Sequence, residues 1–417
     1  MTIGLPSKAK SRISGYTNVF TVLLQFFLAT CPLNNSYEIA AMMNGTLSTS
    51  ASGGAAWTAT LTPIYFKAPK DIFFLLVALL VVFGCIKFPK RSSVFLTVPF
   101  IPLNLFVAGL ILSALYSLAF MPASIILMGV RGYWSVVFVY AGALYCNFKE
   151  SKIYPFVTAI FALHFLLQIV QFATGVGFSV YFENRSPGLF IIPSTAGAFA
   201  ILVHYFSIRF NSSTLKILSV ISLVLSNSTT GLFIIVAYYL YSYRNKMKPK
   251  IIGYPIYFMT VFGIGYAIIS NLGSITGRGE GASYSALARL GVLYLALSSW
   301  NNLLFGMGMG IATSQALLSG YGLAVIADNT YVGILYNAGI FPALMMLTFM
   351  MVLFRYAENK LLYFLLLGYS MTTVIFEINP VVQVILILLG AHIGRRYTLK
   401  LSEKKERGPQ PIPAAMG

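Results

Sequence analysis

Charge is what this sequence has least of. Only 9% of its 417 residues are Asp, Glu, Lys or Arg, and 10 acids stand against 28 bases. Soluble domains carry roughly 25% charged residues, so a soluble fold is excluded. Cysteine is also scarce: Cys31, Cys85 and Cys146 are scattered in or beside apolar sequence. That rules out a disulfide framework or a zinc spacing and fits inert buried thiols. The three histidines, His164, His204 and His392, lie within or at the ends of apolar runs, where they read as helix-packing polar residues. No internal repeat is visible, and ionisable groups are almost absent from the middle of the apolar runs. A secondary transporter, the rival reading from another class, usually shows both.

What is present is apolar sequence: 58% of residues are hydrophobic and the mean hydropathy is +0.81. The runs approach or exceed the roughly 20 residues that a helix needs to cross about 30 Å of hydrocarbon. They are too uniform for barrel strands, and lipid tolerates only structures that satisfy their own backbone. The expectation is an all-α polytopic membrane protein with about twelve spans, at 16–32, 70–87, 94–119, 129–147, 154–174, 191–208, 215–226, 230–243, 251–270, 331–354, 361–377 and 380–394. The first run has basic residues before it but no convincing cleavage site after it, so it reads as a retained helix.

Charge orients these spans. With both termini in the cytoplasm, the outer segments hold Lys67, Lys70, Arg131, Arg185, Arg278 and Arg289. Six acids face them: Glu38, Asp71, Glu183, Glu280, Asp328 and Glu377. The whole formal charge of +18 then falls on the cytoplasmic side, as the positive-inside bias requires. The same dispersal argues against nucleic acid as a partner, since the cations form no single patch. Residues 217–243 could form one span, but that would put basic residues on the wrong side; a hairpin turning at SNSTTG (226–231) is preferred. Its limbs, each about 20 Å long, recess the turn. Polar backbone at that depth belongs beside water or inside protein, so a cavity floor and an ordinary short loop both remain open.

Residues 1–396 thus form one transmembrane domain, and 397–417 read as a disordered cytoplasmic tail. The stretch 34–67 reads as a flexible outer loop or lid. The large outer loop is 271–330, between the ninth and tenth spans, and it holds most of the chemistry. Arginine keeps its proton and offers a planar fork suited to phosphate or carboxylate. Arg131, Arg185, Arg278 and Arg289 are therefore candidates to grip a diphosphate, with snorkelling at helix ends as the alternative. Arg289 falls on an amphipathic stretch, 284–299. The run Gly306, Gly308, Gly310 reads as a turn whose backbone a ligand could approach. Asp328 fits a general base or the N-cap of the next span, and Asn329 stands beside it. With arginines in place of a divalent cation, no metal and no cofactor are expected.

Taken together, RSPGLFIIPSTAG (185–197), SNSTTGLF (226–233), ARLGVLYLALSSWNNLLFGMGMG (288–310) and ADNTYVGILYNAGI (327–340) resemble the O-antigen polymerase (Wzy) and O-antigen ligase superfamily of bacterial inner-membrane glycosyltransferases. The resemblance covers roughly residues 185–345. It implies a GT-C-like fold, a periplasmic active site and a donor glycan carried on undecaprenyl diphosphate. It also implies a chain-length regulator and a flippase as possible partners. Arg185 and Arg289 fall where the family has functional arginines. The ligase branch shows a histidine before the late asparagine, whereas this chain has Asp328 before Asn329, which favours the polymerase branch over transfer to a lipid A core.

Overall fold

The computed structural model describes residues 7–43, 63–175, 185–190, 192–243, 290–313, 316 and 329–406. Among these residues the chain is helical and holds no strand. Helix α1 (Ser7–Thr30) passes through a tight turn at Cys31–Asn35 into α2 (Ser36–Met43). Then come α3 (Ile64–Lys87), α4 (Ile101–Ser117), α5 (Ala123–Tyr133), α6 (Val137–Leu144) and α7 (Tyr154–Thr174). The second half contains α8 (Pro193–Arg209), α9 (Ser213–Leu225), α10 (Thr229–Tyr243), α11 (Trp300–Phe305), α12 (Thr330–Ala338), α13 (Ile340–Tyr356), α14 (Lys360–Thr372) and α15 (Val381–Glu406).

Among the described residues, four segments are long and apolar enough to cross a membrane: Ser14–Asn35, Tyr65–Lys87, Ala123–Leu144 and Tyr154–Thr174. A fifth is reached if Pro89–Leu96 and Ile101–Ser117 count as one span bent by 82°. The outward faces suit lipid rather than water. Val22 and Phe26 on α1, Val82 and Phe83 on α3, and Leu166 and Phe172 on α7 are all exposed. Six such side chains on three helices would be an aggregation liability in water.

Several boundaries depart from the sequence reading, each for a local reason. The stretch 34–67 is not loop throughout, since α2 occupies part of it and α3 begins at Ile64. The span expected at 94–119 starts only at Ile101, because Pro99 and Pro102 cannot donate to a continuing helix. Arg131 lies in the last turn of α5, not at the start of a span. The expected helix 331–354 is broken at Gly339 (φ 86°), where a Cβ would strike the carbonyl oxygen of Leu304. The last helix runs on to Glu406 into the segment read as tail. The expected span 251–270 lies outside the described residues. The break expected near SNSTTG is present: α9 ends at Leu225, Asn227 takes a left-handed φ of 45°, and α10 starts at Thr229.

Two helices form the centre. Every residue from Ala196 to Ser207 on α8 and from Val381 to Ile393 on α15 is buried. Helix α15 approaches α6 closely through Gly390 and Gly394, four residues apart, and through Gly142 opposite. A Cβ on Gly390 would strike the carbonyl oxygen of Val139, and one on Gly142 that of Ile387. Small residues that admit backbone contact are the usual way for helices to associate where the hydrophobic effect between them is missing.

The tertiary contacts keep the two ends of the bundle apart. Segments assigned to the cytoplasm by charge meet one another: Arg395 with Glu150 and Glu358, Arg209 with Glu150, Arg91 with the Leu144 carbonyl, and Ser93 with Tyr397. Segments assigned to the outside do likewise: Asn35 with Leu189, Arg131 with Asp71, Ser186 with Leu225, and Asn329 with Met371.

Candidate functional site

The end of the bundle that charge assigns to the outside is organised around the loop 185–190. This loop has no helix or strand of its own, and helix α7 supplies much of the hydrogen bonding its backbone needs. His164, Gln168 and Gln171 lie at i, i+4 and i+7 on one buried stripe of α7. The Leu189 N–H donates to His164 Nδ1 at 3.2 Å, and the Gly188 N–H donates to Gln171 Oε1 at 2.7 Å. Gln168 Nε2 donates to the Ser186 carbonyl at 2.9 Å, while its Oε1 accepts from Ser222 Oγ at 2.6 Å. The Ser186 N–H reaches the last carbonyl of α9, Leu225, at 3.0 Å. Gly188 has φ 58°, and a Cβ there would strike the His164 ring.

On this loop Arg185 is only 4% exposed. Burying a guanidinium costs several kcal/mol even after relaxation. The turn that α9 and α10 share is next to it. Ser226 and Ser228 are buried, and Ser228 Oγ lies 2.9 Å from the hydroxyl of Tyr369 on α14. A Cβ on Gly197 would strike Ser228. Of the two environments compatible with a recessed polar turn, this one is protein.

From Tyr369 the hydrogen bonds continue to the start of α12. Ser370 Oγ donates to Tyr331 Oη at 3.1 Å, and Asn329 Nδ2 donates to the Met371 carbonyl at 2.7 Å. Asn329 is the N-cap of α12, accepting from the N–H groups of Tyr331 and Val332 at 2.9 and 3.1 Å. The cap expected from Asp328 is therefore made by its neighbour. Asp328, Arg278 and Arg289 lie outside the described residues.

The glycine run has a different environment from the one its composition suggests. Gly306, Gly308 and Gly310 have φ of 76°, 122° and 96°, so glycine is required at all three. The close approach this permits is made by protein and not left open for a ligand: a Cβ on Gly310 would strike the Ile125 carbonyl oxygen, and one on Gly308 the Met121 sulfur. Asn337, 4% exposed, anchors the turn. Its Oδ1 accepts from Gly310 N–H at 3.2 Å and Ala312 N–H at 3.0 Å, and its Nδ2 donates to Tyr133 Oη at 3.0 Å. Arg131 lies between Gly129, which abuts Gly310, and Tyr133, which binds Asn337, but its side chain turns to Asp71. Its Nε donates to Asp71 Oδ1 at 3.1 Å and its Nη2 to Oδ1 and Oδ2 at 2.9 and 2.7 Å, with the two side chains more than a third exposed.

Hydrogen bonds tie Ser186 to Leu225, Ser228 to Tyr369, and Ser370 and Met371 to Tyr331 and Asn329; sequence reasoning singled out Arg185, the 226–231 turn and Asn329 there as separate features. It missed Gln168, Gln171, Tyr369 and Asn337. The amide pair had a signal in HFLLQIVQF, three polar residues on one stripe of an otherwise apolar span. Among the described residues no three His, Cys, Asp or Glu side chains converge as a metal would require.

No protein-family model matches this chain, and comparison with curated proteins finds no significantly similar one. The fold defines an all-helical protein with several segments fit to cross a membrane. Buried polar residues are found at both ends of it, with Gln168 and Arg185 toward one and Glu150 and His392 toward the other.

Proposed function

We propose that the protein is a polymerase of lipid-linked oligosaccharide repeat units, a GT-C-like glycosyltransferase of about twelve spans in the bacterial inner membrane, working on the periplasmic side. The observation that carries this reading is the buried Arg185 on a loop locked by three side chains of α7. A cation held this firmly at the outer end suits a ligand that brings concentrated negative charge to the membrane surface, as a polyprenyl diphosphate does.

In the reaction, a hydroxyl oxygen at the non-reducing end of one lipid-linked repeat attacks the anomeric carbon of a glycan on a second carrier. The bond from that carbon to the diphosphate oxygen breaks, and undecaprenyl diphosphate leaves with the electron pair. Arg185 and Arg289 stabilise the charge that develops on the leaving diphosphate, with Arg278 assisting. Asp328 accepts the hydroxyl proton. Arg131, joined to Asp71, takes the lesser role of fixing α5 against α3. Incubating the purified protein with an undecaprenyl-diphosphate-linked repeat unit, beside Arg185→Ala and Arg289→Ala, tests the assignment. A product ladder in the wild type that vanishes in both variants supports it, and a ladder that persists in both overturns it. Transfer to an added lipid A core without a ladder would establish the ligase reaction instead.

A further inference from the structure

A cavity of about 320 Å³ opens at the opposite end of the bundle, lined by Phe148, Lys149, Glu150, Ser151, Arg209, Phe210 and Arg395. Its walls come from three separate parts of the chain: the segment after α6, the end of α8 and the middle of α15. Glu150, 8% exposed, is the organiser. Its Oε2 accepts from Tyr205 Oη at 3.1 Å and from Arg209 Nε at 3.3 Å, and its Oε1 lies 3.6 Å from Arg395 Nη2.

The three lining cations are not spent equally. Arg395 donates Nε and Nη2 to Glu358 at 3.2 Å each and Nη1 to the Cys146 carbonyl at 3.4 Å, so it is fixed as wall. Arg209 uses only Nε, and its two terminal nitrogens make no hydrogen bond among the described residues, although its side chain is 55% exposed. Lys149 is exposed and makes none either. The one lining carboxylate has both oxygens occupied from within, so the open side of the cavity presents cationic donors and the exposed Ser151 hydroxyl. Phe148 and Phe210 give it an apolar flank. The volume equals that of about ten waters and sits at the small end of the range for ligand sites. The cavity lies at the end of the bundle that holds the charge excess.

We propose that this cavity binds a phosphate-bearing anion, with Arg209 as the fork and Lys149 as the second cation. Two sources share that chemistry, the headgroup of an anionic phospholipid in the adjoining leaflet and a soluble phosphate. The site is independent of the polymerase reading, since none of its residues belongs to the outer cluster.

The test is native mass spectrometry of the full chain released from vesicles of phosphatidylcholine alone or mixed with phosphatidylglycerol, with and without millimolar inorganic phosphate. Bound phosphatidylglycerol that phosphate does not displace identifies the lipid headgroup; a bound or protective effect of inorganic phosphate alone identifies the soluble anion. Either result, weakened about fivefold in Lys149→Gln and about thirtyfold in Lys149→Gln/Arg209→Gln at the usual worth of one surface cation each, supports the site. Lys149→Gln alone perturbs no described contact, so it separates binding from folding. No retention of either ligand, or retention unchanged in both variants, overturns the proposal.

Discussion

Replacing Gln168 with leucine isolates the lock on the Arg185 loop, because leucine keeps most of the volume of a fully buried side chain and removes only its polar atoms. Three hydrogen bonds go: two from Nε2, to the carbonyls of Ser186 and Ser222, and one from Ser222 Oγ to Oε1. Polar contacts between helices in membranes average about 0.6 kcal/mol each, so the total is about 2 kcal/mol. The Ser222 carbonyl keeps a helical partner in the Ser226 N–H, which limits the loss further. Unfolding entropy near 2.1 cal/mol/K per residue makes 2 kcal/mol worth about 2 °C in Tm for a chain of this length. Activity should respond far more strongly, since misplacing a binding group by about 1 Å costs roughly 100-fold in rate. Tm in detergent and the rate of ladder formation are read on the same preparation. A variant that keeps its rate within about threefold refutes the lock. So does one that loses more than about 8 °C, which would mean that the glutamine holds the bundle and not the loop.

Gly390→Val and Gly142→Val should each lower Tm in detergent by at least a few degrees and broaden the size-exclusion peak, because the new side chain meets backbone carbonyls of the facing helix and overpacking costs about 1–3 kcal/mol or more. Gly132→Ala, with nothing nearby, should leave the elution profile unchanged. Asn337→Leu should lower Tm by about 2–4 °C, since two N–H groups of the glycine turn lose their acceptor at roughly 1–2 kcal/mol each. Glu358 titrates in a defined direction: burial raises its carboxyl, but the hydrogen-bonded Arg395 guanidinium overcomes that and holds it below the usual carboxylate range. A depressed carboxyl stabilises fully above its unfolded value, about 4.3, and the contribution is lost as pH falls through the folded value. The Tm difference between wild type and Glu358→Gln should therefore be constant from pH 7 to about 5 and shrink below about pH 4; a difference that grows on acidification would contradict the pairing.

Much of the helical layout was legible in the residues because lipid imposes a simple rule, an apolar run of sufficient length. The break near Ser226 could be read from charge alone, since one span there would misplace the basic residues that follow. The break at Gly339 could not. It depends on the end of α11 docking against that backbone, a contact between segments far apart in sequence. The same holds for the glycine turn, where composition signalled close approach but not that Ile125 and Met121 would be the approaching groups. Asp328 was the expected cap, and only the geometry of the first turn of α12 gives that role to Asn329. Arg131 has the residue type of a diphosphate ligand, and its partner Asp71 lies on another helix, beyond what local pattern can reveal.

The central claim concerns a bond made and a carrier released together. In proteoliposomes loaded with an undecaprenyl-diphosphate-linked repeat unit, released undecaprenyl diphosphate should equal the number of new glycosidic bonds, one for one, and both should vanish in Arg185→Ala. Substrate crossing the bilayer without release, or a one-for-one release that persists in Arg185→Ala, would contradict the account.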